Sequence, residues 1–569
     1  MSSRSITSVE MNPLALNIPE IVELIARHLE AADQLSYLRV SKLFYNVTIP
    51  YLWHTIHLRC PPKTNRTLFP TGVMLQRFKA HIRKIHFQGI FPMEYQHIDG
   101  CKRLQALLFT MPTTPDDMRR FIAESRQFMK LVENCSSTLR SVTIHLKTQR
   151  GISVWNVLAA CPKLTELEIR GVNVAGDDWP LFLQVWGRVH TLSLSKMDMT
   201  PRPTITGETA EEATEDSDSN ANGKSIAAPG GPRELSLEGT YRESSSISSN
   251  SMVALVRTCH SLESLRCRWE DSHLHPHLFH EFGLNPANDL RWRFLNTLTS
   301  DPWTLTALHS LDLSNSNASD IHLEALLNQI HHLKVLKATC TLFGPLSYNA
   351  LIAEGSAPTR GDGSGVTLSQ SRRHCKSIET LYIDGCSSVT GAMIQRFLAS
   401  CPKLERFAAD RITVTEIAQG QHWACSGLKH LDIYLAADDD GDKKNKAYGT
   451  RSIPFLKMQR FTFEKLNRLT KLERLVLTND RGRSDARMMK TLDMRMESGL
   501  CILRDLKSLR EISFKSELPQ KMDVEEAIWI ADHWPNIKCV EGVLNKDEET
   551  SRMILAIIHP VTTRISGRE

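Results

Sequence analysis

The chain has 569 residues, several times a typical domain, so it is either multidomain or built from repeats. With 41% hydrophobic and 23% charged residues it has the composition of a soluble globular protein. A net charge of +5 from 69 basic and 64 acidic side chains lacks the strongly basic, clustered character of nucleic-acid binders. Glu10, Glu20 and Glu23 interrupt any signal-peptide pattern, and no run of about 18 apolar residues predicts a membrane span. The 13 cysteines are odd in number and scattered, and several close apolar helical patterns. That predicts buried free thiols and a reducing compartment, cytoplasmic and/or nuclear.

Residues 1–15 read as a flexible N-terminus, and 16–58 as a helical segment. Ile18-Pro19-Glu20 opens a helix, with proline at an early position where no backbone donor is lost. Ile21, Leu24, Ile25, Ala26 and Leu29 follow at helical spacing. After Asp33 come Leu35, Leu38, Val40, Leu43, Phe44 and Val47, with Pro50 ending the run before Leu52-Trp53. A unit of about 40 residues with no metal-ligand pattern seldom folds alone, so its apolar faces need cover from the following chain, from a partner, or from both.

This stretch resembles an F-box: Ile18-Pro19-Glu20, the apolar helix, Asp33-Gln34-Leu35, Val40-Ser41-Lys42-Leu43-Phe44 and Pro50-Tyr51-Leu52-Trp53 follow that family's pattern. It departs at Ile18 (for Leu), Ser41 (for Cys) and Phe44 (for Trp). The resemblance implies an adaptor that docks on Skp1, and through it a cullin, with Pro19, Ile21, Ile25, Leu29, Leu35, Val40, Leu52 and Trp53 as docking or supporting positions.

From about residue 80 to 545 one pattern recurs: apolar, two others, apolar, one other, apolar. Good copies include Leu164-Leu167-Ile169, Val189-Leu192-Leu194, Leu308-Leu311-Leu313, Ile378-Leu381-Ile383, Leu404-Phe407-Ala409 and Leu428-Leu431-Ile433. Copies starting at 139, 164 and 189, or at 378, 404 and 428, lie about 25 residues apart, the spacing of a leucine-rich repeat with one strand and one helix per unit. Helices before the strands end in Cys161-Pro162-Lys163-Leu164 and Cys401-Pro402-Lys403-Leu404, where proline stops the helix. Asp320 reads as the N-cap of a helix from Ile321 to Ile330. The predicted fold is α/β: a leucine-rich-repeat solenoid with a parallel sheet on its concave face and helices outside, preceded by the small all-α segment. Such a class fits the fungal-type F-box proteins with C-terminal repeats.

Residues near 200–232, 354–373 and 436–452 break the pattern and read as disordered insertions; 546–569 reads as a C-terminal tail. In the first insertion, Thr214, Ser217 and Ser219 stand in an acidic setting that suits phosphorylation.

Residues flanking the middle apolar position of each strand are expected on the concave surface. This gives Arg170, Arg266, Arg268, Asp312, Lys337, Tyr382, Asp384, Arg406, Asp432 and Tyr434 as candidate contacts with an unidentified target protein. Mixed charge with tyrosine suits a protein partner. His273, His275, His277 and His280 lack a carboxylate or cysteine companion and read as a polar loop. No phosphate-cradling loop, nucleophile elbow or His-Glu-x-x-His is present, so no active site, cofactor, metal or small-molecule substrate is expected. The expected function is substrate recognition for an SCF-type (cullin–RING) ubiquitin ligase. The alternative is a repeat scaffold whose N-terminal helices only cap the solenoid.

Overall fold

The middle apolar residues of the repeats become register partners in a parallel sheet. The structure, a computed structural model, describes residues 18–59, 70–89, 91–110, 118–149, 154–174, 176–196, 198–199, 231–238, 249–268, 290–300, 305–316, 318–352, 374–436, 453–477, 492–514 and 520–558. The N-terminal stretch 1–15, nearly all of the three insertions, and the four histidines between 273 and 280 lie outside these residues. The chain divides into two units, Met1–Ser248 and Ser249–Glu569.

In the first unit, helices α1 (Pro19–His28), α2 (Ala31–Tyr37) and α3 (Lys42–Leu52) lead into strand β1 (Thr55–Arg59). Helix α4 (Gly72–Phe78) and strands β2 (Lys84–Gln88), β3 (Ala106–Thr110), β4 (Ser141–Gln149), β5 (Glu166–Val174), β6 (Thr191–Ser195), β7 (Asp198–Met199) and β8 (Glu234–Glu238) follow, and β7 pairs only with the end of β5. Ile56, Ile85, Leu107, Val142, Leu167, Leu192 and Leu235 form one continuous buried row across the parallel strands. A second buried row, two residues on, includes Leu58, Phe87, Phe109, Ile144 and Ile169. Each fully buried large apolar side chain contributes roughly 1.5–3 kcal/mol, but only when neighbouring repeats cover it.

The second unit repeats the plan with β9 (Ser264–Arg268), β10 (Ser310–Asp312), β11 (Val335–Lys337), β12 (Thr380–Tyr382), β13 (Arg406–Thr413), β14 (His430–Ala436), β15 (Arg474–Val476), β16 (Glu511–Ser513) and β17 (Cys539–Glu541), all parallel. Its central row runs through Leu265, Leu311, Leu336, Leu381, Phe407, Leu431, Leu475 and Ile512 to Val540. Both units are leucine-rich-repeat stacks, as the spacing predicts.

The turn leaving each strand is also periodic. Asn315, Cys340 and Gly385 occupy the same place in successive repeats, all with positive φ (59°, 54° and 76°). A side chain on Gly385 would sit 2.6 Å from Cys340 Sγ and 3.2 Å from Cys340 backbone, so glycine is required there.

Three boundaries differ from the sequence expectation. Strand β1 begins inside 16–58, so the sheet starts within the helical segment and not after it. The expected tail beyond 546 contains a helix, Glu548–Ile558, with Ile554 and Ile558 buried. Helix α3 runs through Pro50 to Leu52; the missing proline N–H removes one helical hydrogen bond, and the helix continues only two residues beyond it.

Helix Asp320–Gln329 is capped by Ser319, and not by Asp320, which is its first residue. Asp320 instead reaches the next repeat. Its carboxylate accepts from the backbone N–H of Gly344 (2.9 Å), Leu346 (2.9 Å) and Ser347 (2.8 Å), at the start of helix Pro345–Ile352. A carboxylate from one repeat thus satisfies the open helix terminus of its neighbour.

Cys161, Cys259, Cys386, Cys401 and Cys425 are buried, whereas Cys501 is exposed. Burial raises the Cys161 thiol to about 11 and those of Cys386 and Cys425 to about 12. Brief maleimide treatment of the native chain at pH 8 is therefore expected to label Cys501 and spare these buried thiols, as peptide mass mapping would show. Labelling of Cys161 or Cys401 as fast as Cys501 would contradict the packing of the helix ends.

Candidate functional site

Two surfaces carry the expected contacts: the N-terminal helices in the first unit, and the sheet faces turned away from the buried rows.

The three N-terminal helices pack through Val22 and Ala26 of α1 and Phe44, Thr48 and Ile49 of α3. Tyr37 stacks obliquely on Phe44 with ring centres 4.4 Å apart. Gln34 Nε2 donates to the carbonyls of Ala26 (3.0 Å) and Leu29 (3.1 Å), tying α2 to the end of α1. Ser41, one of the departures from the F-box pattern, caps α3 by accepting from Phe44 N–H at 3.3 Å. Glu23, Arg27 and Tyr51 form a triad across α1 and α3: the Tyr51 hydroxyl donates to Glu23, and Arg27 donates to Glu23 (2.6 Å) and Tyr51 (3.1 Å). The Tyr51 hydrogen bond, then Arg27, hold the Glu23 carboxyl below its ordinary range.

The anticipated docking positions divide sharply. Leu35 and Val40 are 52% and 62% exposed, and Pro19 is exposed. Ile21, Ile25, Leu29 and Leu52 are half-buried. Trp53 is only 8% exposed and stacks on Phe78 of α4 at 4.5 Å, so it anchors the helices to the repeats and offers no docking surface. Sequence reasoning passed over Leu24, which at 58% exposed is the most open apolar side chain of α1. Its spacing from Ile21 gave a signal, since the two share a helix face opposite Val22 and Ala26.

On the sheet, Arg266, Asp312, Lys337, Tyr382 and Asp432 do fall in one row, with Ala408 between the last two. Asp312 accepts from Arg266 (3.3 Å) and Arg268 (2.7 Å) and from Ser314 N–H (3.1 Å). Lys337 Nζ lies 5.6 Å from the centre of the Tyr382 ring. Arg406 is exposed, one row over, beside His430. Burial, and then Arg406, hold the His430 imidazole below its ordinary pKa. Arg170 is half-buried on β5 of the first unit.

Asp312, Asp384 and Tyr434 depart from the expected solvent-facing role. They are 4%, 3% and 9% exposed. Asp384 accepts from Thr339 (2.8 Å) and Asp312 from two guanidiniums, so both carboxylates are committed within the ladder. The bulge between Ala409 and Arg411 sets Tyr434 opposite Arg411, where its ring is covered. Arg266 and Arg406 are exposed, and Arg170, Arg268, Lys337, Tyr382 and Asp432 are half-buried.

Among the described residues no group of three or more His, Cys, Asp or Glu could hold a metal ion. Nor is any helix among them long and apolar enough to cross a membrane.

The fold and these surfaces define a leucine-rich-repeat protein with an N-terminal helical segment. No protein-family profile matches the sequence, and no curated protein matches it. Among solved structures, similarity extends to the Rad7 and Elc1 complex of yeast (14% identity, 79% of this chain and 98% of that one, TM-score 0.35). An internalin of Listeria monocytogenes also matches (12% identity, 73% and 82% covered, TM-score 0.32). So does a TLR13–ssRNA13 complex (12% identity, TM-score 0.33), where 82% of this chain spans about half, 51%, of the other.

Proposed function

We propose that the chain is the substrate-recognition subunit of an SCF-type cullin–RING ubiquitin ligase, acting in the cytoplasm and/or nucleus without catalysis of its own. The F-box-like helices dock a Skp1-type adaptor, and the open sheet face of the repeats holds the target protein. Joining the two sites in one chain raises the target's effective concentration at the ligase. One observation carries this reading: helices already packed on one side through Val22, Ala26 and Phe44 still expose Leu24, Leu35 and Val40 on the other. An exposed apolar set of this kind is what a docking partner covers.

A second reading, a scaffold whose helices merely cap the repeats, is favoured by the Trp53–Phe78 stack and by the direct passage of α3 into β1. Both readings need Trp53. Only the first needs Leu24 and Leu35. Co-expression with a Skp1-type adaptor and size-exclusion chromatography separates them: a joint peak that is lost with L24D/L35D supports the receptor. Two separate peaks for the wild type leave the cap.

A further inference from the structure

The backbone ladder continues one residue ahead of each strand, and this leading row differs in charge between the two units. In the second unit successive residues pair acid with base: Glu263 with His309 (3.9 Å), Lys334 with Glu379 (4.0 Å), Glu405 with Lys429 (2.8 Å) and Glu473 with Arg510 (3.9 Å). In the first unit the same backbone bonds join His54, Arg83, Gln105, Arg140, Thr165, His190 and Arg233. That row contains no carboxylate.

Its start opens on a cavity of about 230 Å³, lined by Arg27, Tyr51, His54, His81, Arg83 and Arg103 together with Pro50. The exposed guanidiniums of Arg83 and Arg103 make no ion pair or hydrogen bond among the described residues, and neither does that of Arg140. Buried Nδ1 of His81 has no hydrogen-bond partner among the described residues. Burial, and then the charge of Arg83, keep His54 below its ordinary pKa. The nearby carboxylates are committed elsewhere, Glu23 to Tyr51 and Arg27, and Asp99 to Gln76 and Lys79.

We propose that this cavity and the leading row beside it bind a phosphate group. Planar guanidinium forks suit a tetrahedral dianion better than a single carboxylate, and a histidine imidazole adds a neutral donor, whereas the Tyr51 hydroxyl is already given to Glu23. The volume holds one phosphate with several waters at about 30 Å³ each. Arg140, two strands beyond Arg83, stands about 10 Å along the row, within reach of a second phosphate or acidic group on the same ligand. The phosphate comes either from a small free compound or from a phosphorylated side chain of a protein. This assignment is independent of the docking role of Leu24 and Leu35.

Calorimetric titration of the full chain with inorganic diphosphate, with a phosphoserine peptide and with its unmodified form tests the site. Diphosphate is expected to bind with a Kd on the order of 10–100 µM, weakened roughly tenfold or more by R83Q/R103Q and only partly by R83K/R103K. K429Q, in the leading row of the second unit, leaves binding unchanged. A phosphopeptide binding roughly tenfold tighter than diphosphate, with the unmodified peptide silent, assigns the phosphate to a protein; the reverse order assigns it to a small compound. Either outcome supports the site. Absence of heat with every phosphate probe at millimolar concentration overturns it, as does wild-type affinity in folded R83Q/R103Q. A short single-stranded RNA that binds about a hundredfold tighter than both replaces the proposal with a nucleic-acid surface.

Discussion

Replacing Asp320 by alanine is expected to speed amide exchange at Gly344, Leu346 and Ser347 about a hundredfold, equivalent to roughly 3 kcal/mol of local stability. Pro345 has no N–H to offer, so the next helix begins with the three donors that Asp320 collects. Gly344 and Ser347 are buried, and water cannot fully replace the lost acceptor. The Ser347 hydroxyl, which also donates to the Asp320 carboxylate, is left with the backbone carbonyl of residue 320, at 3.2 Å. Asp320→Asn keeps one acceptor oxygen and is expected to cost about half as much. The effect should stay within the neighbouring repeats, because stacked repeats couple mainly to those beside them. Exchange that accelerates uniformly over the whole second unit would show that the brace is not local.

Trp53→Ala is expected to release the N-terminal helices, at a cost of about 3–5 kcal/mol. The indole is 8% exposed and stacked on Phe78, so its removal leaves a cavity where α3 turns into β1. Limited proteolysis should then cut within residues 18–53 while the later repeats stay resistant. Leu35→Asp, at a position 52% exposed, should leave that protection unchanged. The contrast matters for interpretation. Loss of partner binding in a Trp53 variant reports unfolding, whereas loss in Leu24 or Leu35 variants reports a surface. Trp53→Ala with wild-type protease resistance would overturn the anchoring role.

The central rows were legible because the triplet spacing is set by strand alternation. Leu311, Leu336 and Leu381 could be aligned as equivalents by position alone, and they are register partners. The inward side of α1 was not legible. Ile21, Leu24, Ile25, Ala26 and Leu29 read as one apolar stripe, yet the structure buries Val22 and Ala26 and turns Leu24 outward. Two apolar faces on one short helix have no periodic signature that says which is covered. Strand β1 was hidden because Ile56 and Leu58 follow the helices without an intervening repeat helix, and the segment looked continuous. The sheet face was legible as a row but not in its burial. Asp312 and Asp384 are withdrawn by Arg266, Arg268 and Thr339, and such cross-strand partners become visible only once the register is fixed. The same reason hid the basic leading row: Arg83 and Arg140 are far apart in sequence and become near neighbours only through the ladder.

Direct titration of the purified full-length chain with a Skp1-type adaptor tests the receptor assignment most simply. A Kd below about 1 µM is expected, weakened about a hundredfold or more by L24D/L35D, since two open apolar contacts at the centre of an interface carry roughly 3 kcal/mol together. Circular dichroism and protease resistance should be unchanged in that variant. Failure of the wild-type chain to bind at about 50 µM adaptor, or equal affinity in folded L24D/L35D, would contradict the account.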